Sequence, residues 1–288
     1  MSKKMIKGYI YVIISAILFG CMPLGAKFLY ARGMNSISLV FWRNSLALPV
    51  LAILAFKQTK SFYVEKKTLL KIVTAAAMGV CATPILLYSS YNYLASGTAT
   101  IFHFIYPVVV VMGSILFLHE QCNKKIIFSV IICTLGILLF YDPDAQISFL
   151  GSFLALLSGV TYATYVMLLS VFKEKEVSGF LFSFYLSAAS SVLILPICLG
   201  SGQFRVPGTL PAWIVSMVFS VTLSVGAVVL FQQGTRYIGG QKAAILSTLE
   251  PITSVFVGVL AFGEIITVQT LIGALLVIAA SILLAVSE

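Results

Sequence analysis

Ten apolar runs follow one another along this chain, most of them long enough to cross a bilayer. They are Tyr9–Leu29, Ser36–Phe56, Leu69–Tyr88, Ala95–Leu118, Ile126–Tyr141, Leu150–Phe172, Phe180–Leu199, Pro211–Gly234, Gly240–Phe262 and Val268–Val286. A spanning helix needs about 20 such residues, and the fifth run is the shortest. Backbone groups in lipid must be paired internally, which leaves helices or a closed barrel. Barrel strands alternate apolar and polar residues, whereas these runs are apolar all round. The pattern predicts an all-α integral membrane protein of ten transmembrane helices. Composition agrees: only 9% of the residues are charged, against about 25% for a soluble domain.

The net charge of +9 sits between the runs, where it orients a membrane protein, and does not point to nucleic acid. With the N-terminus cytoplasmic, one side holds Lys3, Lys4, Lys7, Lys57, Lys60, Lys66, Lys67, Lys71, Lys124, Lys125, Lys173, Lys175, Arg236 and Lys242. The other side holds Lys27, Arg32 and Arg205, and Arg43 falls inside the second run. This asymmetry places both termini in the cytoplasm of a multi-pass protein of the cell membrane. The first run follows Lys3, Lys4 and Lys7 as a signal peptide would, but it exceeds the about 7–15 residues of a signal core, so it reads as the first span. Cys21, Cys81, Cys122, Cys133 and Cys198 are scattered without metal-binding spacing. No cofactor or metal is expected.

One pattern occurs twice. Tyr93-Leu94-Ala95 … Ala99 … Ile101 … Pro107 … Leu116 … Glu120 recurs 144 residues on as Tyr237-Ile238-Gly239 … Ala243 … Ile245 … Pro251 … Leu260 … Glu264. The chain therefore divides into halves at 1–144 and 145–288, around Asp142-Pro143-Asp144. Five spans per half is an odd number, so the second half must cross the membrane in the opposite sense. Inverted repeats of this kind underlie many secondary transporters.

These features resemble the ten-span EamA group of the drug/metabolite transporter superfamily. The resemblance rests on Pro107-x12-Glu120, on Pro251-x12-Glu264 with Gln269 and Gly273, and on Gly20 … Lys27 … Phe41-Trp42-Arg43. The stretch Phe262-Gly263-Glu264-Ile265-Ile266-Thr267-Val268-Gln269-Thr270-Leu271-Ile272-Gly273 is close to the family's pattern. The second half departs from the first: Ser170 stands where Lys27 is matched, and no arginine matches Arg43. The resemblance implies a carrier of small metabolites, often an exporter of amino acids or related compounds.

Ionisable groups inside a span cost roughly 2.5–3.5 kcal/mol on insertion scales and mark functional sites. Glu250 is the leading candidate, eleven residues into the ninth run and so near the bilayer centre. It reads as a proton- or cation-coupling carboxylate, against the alternative of a buried acid bonded to Tyr or Gln. Pro107 and Pro251 each clash with the carbonyl four residues earlier, His103 and Ser247, and predict broken helices at mid-membrane. His103 and Tyr106 flank the first break. Arg43 either snorkels to the outer surface or contacts a carboxylate or phosphate at the outer mouth, and Lys27 is similar. Tyr88, Tyr91, Tyr162, Tyr165, Tyr185, Gln232 and Gln233 are candidates for the path, with Tyr162 and Tyr165 sharing a helix face. Glu120 and Glu264 lie at span ends, where a carboxylate suits the positive end of the next helix.

The substrate cavity is expected between the halves, walled by the first four spans of each, with the fifth and tenth peripheral and the tenth a candidate interface for a homodimer. Two other classes compete. A membrane enzyme acting on a lipid or prenyl substrate would need clustered carboxylates, histidines or a metal; no DxxD or HExxH string occurs. A channel would favour rings of pore-lining groups.

Overall fold

The computed structural model describes residues 3–94, 96–121, 123–139, 148–172, 177–262 and 267–286. Glu264 and the segment containing Asp142, Pro143 and Asp144 lie outside them. The described residues form helices throughout: α1 Lys3–Tyr30, α2 Ser36–Thr59, α3 Lys66–Ser90, α4 Ser96–His103, α5 Tyr106–Leu118, α6 Lys124–Leu138, α7 Phe149–Val171, α8 Gly179–Gly200, α9 Leu210–Ile238, α10 Gly240–Leu246, α11 Leu249–Phe262 and α12 Val268–Val286. Among the described residues, α1, α2, α3, the α4–α5 stretch, α7, α8 and α9 are long and apolar enough to cross a membrane. This is a multi-pass, all-helical membrane protein.

Local chemistry sets the helix ends. Asn35, Asn123, Ser148, Ser178 and Thr209 are side-chain N-caps, each accepting from a backbone N–H three residues on. Capping of this kind satisfies a donor that has no intrahelical partner. The cap of α6 is thus Asn123 rather than the upstream Glu120. Several helices run past their apolar runs into charged residues, as α1 does at Lys3, because hydropathy marks the lipid-facing length and not the hydrogen-bonded length.

Several features recur 143–145 residues apart. The N-caps Asn35 and Ser178 correspond. Wider π-helical turns fall at Ala76–Ala82 in α3 and Val221–Ala227 in α9. The chain breaks between α4 and α5 at 104–105, and between α10 and α11 at 247–248. The Trp42 indole N–H donates to the Arg205 carbonyl at 2.8 Å, and the Tyr185 hydroxyl donates to the Phe62 carbonyl at 2.6 Å. Exchanging α1–α6 with α7–α12 also preserves the pattern of packing. Thus α1 packs on α9 and α7 on α3, while α2 packs on α8 and α6 on α12.

Small residues allow the close approach that helix association in lipid requires. A Cβ at Gly234 would stand 2.5 Å from the Val12 Cγ2 and 3.0 Å from the Gly8 carbonyl, so the α1–α9 contact admits no methyl there. At the α6–α12 contact a Cβ on Gly136 would stand 2.8 Å from the Gly273 carbonyl. These two helices pair with one another at the side of the bundle.

Freed backbone groups are answered by neighbouring hydroxyls. Pro84 supplies no N–H to the Val80 carbonyl, and the Ser190 hydroxyl donates to it at 3.1 Å. In α2 the turn at Leu46-Ala47 leaves the Arg43 carbonyl outside the backbone ladder, and the Ser220 and Ser224 hydroxyls of α9 donate to it. These bonds tie α2 and α3 to the helices that carry the site.

Candidate functional site

A cavity of about 560 Å³, its open mouth included, lies between α1–α4 and α7, α9 and α11. Arg43, Tyr88, His103, Tyr162, Tyr165 and Glu250 line it, together with Phe19, Met22, Gly79, Val80, Thr83, Pro84, Leu87, Val228 and Phe231. Six of the sequence candidates therefore converge from five different helices. Among the described residues, none of α6 or α12 lines it.

Glu250 sits in the first turn of α11, immediately past the second helix break. It is half-buried, and among the described residues nothing donates a hydrogen bond to its carboxylate. An unpaired carboxylate in a low-dielectric setting is costly, so this one calls for a proton or a cationic group from the cavity. The break is locally satisfied: the Glu250 N–H donates to the Ser247 carbonyl at 2.9 Å, which Pro251 cannot serve. The Ser247 hydroxyl also bonds that of Tyr106, so the two breaks touch.

Arg43 is 5% exposed, so its stem does not run to the outer surface, and the snorkelling reading is corrected. The reason is that protein groups replace water around it. Its Nε donates to the Ser224 hydroxyl and its Nη1 to the Tyr88 hydroxyl, each at 3.3 Å. Tyr88 in turn donates to the Met22 sulfur at 2.8 Å. A guanidinium has five N–H donors, so these two bonds leave donors for an occupant of the cavity.

His103 closes α4 at the first break. Its Nδ1 bonds the Ser158 hydroxyl at 2.8 Å, and its carbonyl packs on Gly159, where a Cβ would stand 2.5 Å away. Aromatic rings form the wall: His103 and Tyr106 centroids are 5.5 Å apart, Tyr106 meets Tyr162 edge-on at 4.8 Å, and Tyr162 stacks on Phe231 at 5.8 Å. Tyr106 is fully buried behind this wall and does not line the cavity. Gln232 is a supporting residue: it accepts from Ser183 at 2.7 Å and donates to the Tyr165 hydroxyl at 3.1 Å.

The structure does not bring every candidate together. Lys27 is exposed near the end of α1. Tyr91 stands beside Tyr88, with ring centroids 6.0 Å apart, and is not among the lining residues. Tyr185 holds the 60–65 connection through Phe62, and Gln233 lines a separate recess with Gln58, Arg236 and Tyr237. Glu120 follows α5 away from the cavity. Sequence reasoning missed Phe19, Met22, Gly79, Thr83 and Phe231. At Gly79 a Cβ would collide with the Tyr165 ring, a contact that no local sequence pattern discloses.

Comparison with known proteins places this geometry. A model of the EamA-like transporter family matches residues 6–142 and again residues 149–286. A protein of Archaeoglobus fulgidus named as an uncharacterized transporter is 28% identical over 272 residues, covering 93% of this chain and 92% of its own. The Bacillus subtilis uncharacterized transporter YcbK is 25% identical over 279 residues, covering 92% and 88%. The Salmonella typhimurium uncharacterized inner membrane transporter YicL is 25% identical over 296 residues, covering 98% and 96%. One solved crystal structure superposes with a TM-score of 0.81 at 12% identity, covering 97% of this chain and 96% of that one. The overall fold is shared with it.

Proposed function

The chain belongs to the EamA-like transporter family, and from that premise we propose that it carries a small zwitterionic metabolite, of the amino-acid kind, across the cytoplasmic membrane by alternating access. The single observation that carries this reading is the convergence of Glu250 and Arg43 on one aromatic cavity between the halves. An ammonium matches the unpaired carboxylate, a carboxylate matches the spare guanidinium donors, and the rings of Tyr88, Tyr162 and Phe231 suit an apolar body.

On this reading the chain crosses the membrane ten times, as halves 1–144 and 145–288 of opposite orientation with both termini cytoplasmic. The paired caps, π-helical turns and breaks support it, as does the packing pattern that survives exchange of α1–α6 with α7–α12. Two equivalent units related in the membrane plane can trade conformations and so open the same site to either side. Export is the direction the family resemblance favours. Glu250 couples the cycle to protons, because it must hold either a proton or a cationic group. Among the described residues lining the cavity Glu250 is the one carboxylate, whereas activation of a lipid or prenyl substrate would call for clustered carboxylates or a metal. Among the described residues no three His, Cys, Asp or Glu gather as a metal site.

Thermal stabilisation of the purified protein by a panel of metabolites tests the substrate class. A ligand at 100 times its Kd stabilises by about 2.7 kcal/mol, so zwitterionic amino acids should raise Tm by several degrees. The matching decarboxylated amines and deaminated acids should raise it less. Stabilisation by prenyl or lipid head-group compounds alone would favour the enzyme reading instead.

A further inference from the structure

The contact between the two helix breaks has an empty mirror image. Tyr106, beside the first break, bonds Ser247 at the second. At the 144-residue spacing of Pro107 and Pro251, Tyr106 corresponds to Glu250, and His103 corresponds to Ser247. The bond that mirrors Tyr106–Ser247 is therefore Glu250–His103. In this structure it is not made. His103 is bonded to Ser158 of α7 instead, and the Glu250 carboxylate faces the cavity that both residues line.

We infer that Tyr106–Ser247 and His103–Glu250 are alternative latches of the two opposite-facing states. This inference rests on the inverted-repeat reading above. In a pair of inverted repeats that trade conformations, a contact made by one half in one state is made by its counterpart in the other. When the halves exchange, Tyr106 leaves Ser247, and the His103 ring leaves Ser158 to donate a hydrogen bond to the Glu250 carboxylate. The two latches are chemically unequal. The first joins two neutral hydroxyls. The second uses the carboxylate proposed to hold the substrate, whose two oxygens can accept from the His103 ring and from an ammonium group together. His103 is thus a positioning residue for Glu250, acting in the state opposite to the one seen here. It also accounts for an imidazole in the aromatic wall: Ser158 satisfies it in one state and Glu250 in the other.

Hydrogen–deuterium exchange of the full chain in lipid nanodiscs tests this on the 60–65 and 201–209 connections. These two connections correspond in the two halves and lie on opposite membrane faces in the ten-span topology. Tyr106→Phe and Ser247→Ala each remove the first latch and should push the population toward the opposite state. His103→Leu removes the second latch and should push it toward the state seen here, with His103→Gln, which keeps a donor, restoring part of the balance. Loss of one hydrogen bond corresponds to about a fivefold change in population. The expected result is that the exchange of 60–65 relative to 201–209 shifts with one sign in the first pair and the reverse sign in His103→Leu. A shift of the same sign in all variants, or equal loosening of both connections, overturns the latch assignment. Opposed signs would also be absent if alternating access itself were wrong. Trans-stimulated counterflow by the unmodified protein separates the two: if it persists while the signs do not oppose, only the latch assignment fails.

Discussion

Glu250→Gln is expected to abolish uptake driven by a pH gradient while leaving exchange of substrate measurable. The carboxylate lies at the start of α11 in the cavity wall, with no hydrogen-bond donor from the described residues. Charge at such a depth is tolerated only when a partner compensates it. A proton from one side and the ammonium of a substrate are the two partners available, and they compete for the same oxygens. That competition is what coupling requires: the loaded carrier returns without the proton, and the protonated carrier returns without the substrate. Glutamine keeps the size and the carbonyl oxygen of the side chain but has no proton to release. Proteoliposomes with an imposed pH gradient should therefore show net uptake fall to the protein-free level. Exchange, in which substrate moves both ways and no proton is needed, should survive with weaker affinity. Gradient-driven uptake at the unmodified rate would reduce Glu250 to a structural group.

Arg43 should give the second largest effect, and lysine should not replace it. The guanidinium bonds Ser224 through Nε and Tyr88 through Nη1 and still has donors for a substrate carboxylate. Its planar fork can hold all three at once, whereas an ammonium is a point charge with a different reach. Hydrogen bonds to charged groups contribute about 1.5–3 kcal/mol. Arg43→Lys should therefore raise the KM for exchange roughly 10- to 100-fold, with a smaller change in the maximal rate. Arg43→Ala should add a fall in Tm, because Tyr88 and Ser224 lose a buried partner. An unchanged KM in Arg43→Lys would mean that the arginine braces Tyr88 and nothing more.

The parts of this molecule that were legible in the sequence are those with a one-residue physical signature. Uninterrupted apolar length marked α1, α2, α3, the α4–α5 stretch, α7, α8 and α9, since hydropathy is additive along a span. Pro107 and Pro251 marked the two breaks, because a proline removes one donor and clashes one turn back. Charge in an apolar run marked Glu250 and Arg43. Other features had no such signature. The π-helical turns at Ala76–Ala82 and Val221–Ala227 have no hydropathy signature; beside the first, the Thr83 hydroxyl donates to the Met78 carbonyl at 2.8 Å. Phe19, Met22 and Phe231 face the cavity rather than lipid, and an apolar residue reads the same in either place. A lysine at a span end, such as Lys27, carries the same letter whether it meets water or a ligand. The inward turn of Arg43 needed Ser224, 181 positions away, which no local pattern discloses.

The central claim is that one site between two halves is exposed alternately to the two sides of the membrane. Counterflow in proteoliposomes tests it most directly. Vesicles are loaded with an excess of unlabelled zwitterionic amino acid, chosen as the strongest stabiliser of the purified protein, and a trace of the labelled compound is added outside. The account predicts transient accumulation of label above its external concentration, and faster entry than into empty vesicles. Entry that only equilibrates, at a rate indifferent to what the vesicles contain, would contradict it and point to a channel; chemical conversion of the label would point to an enzyme.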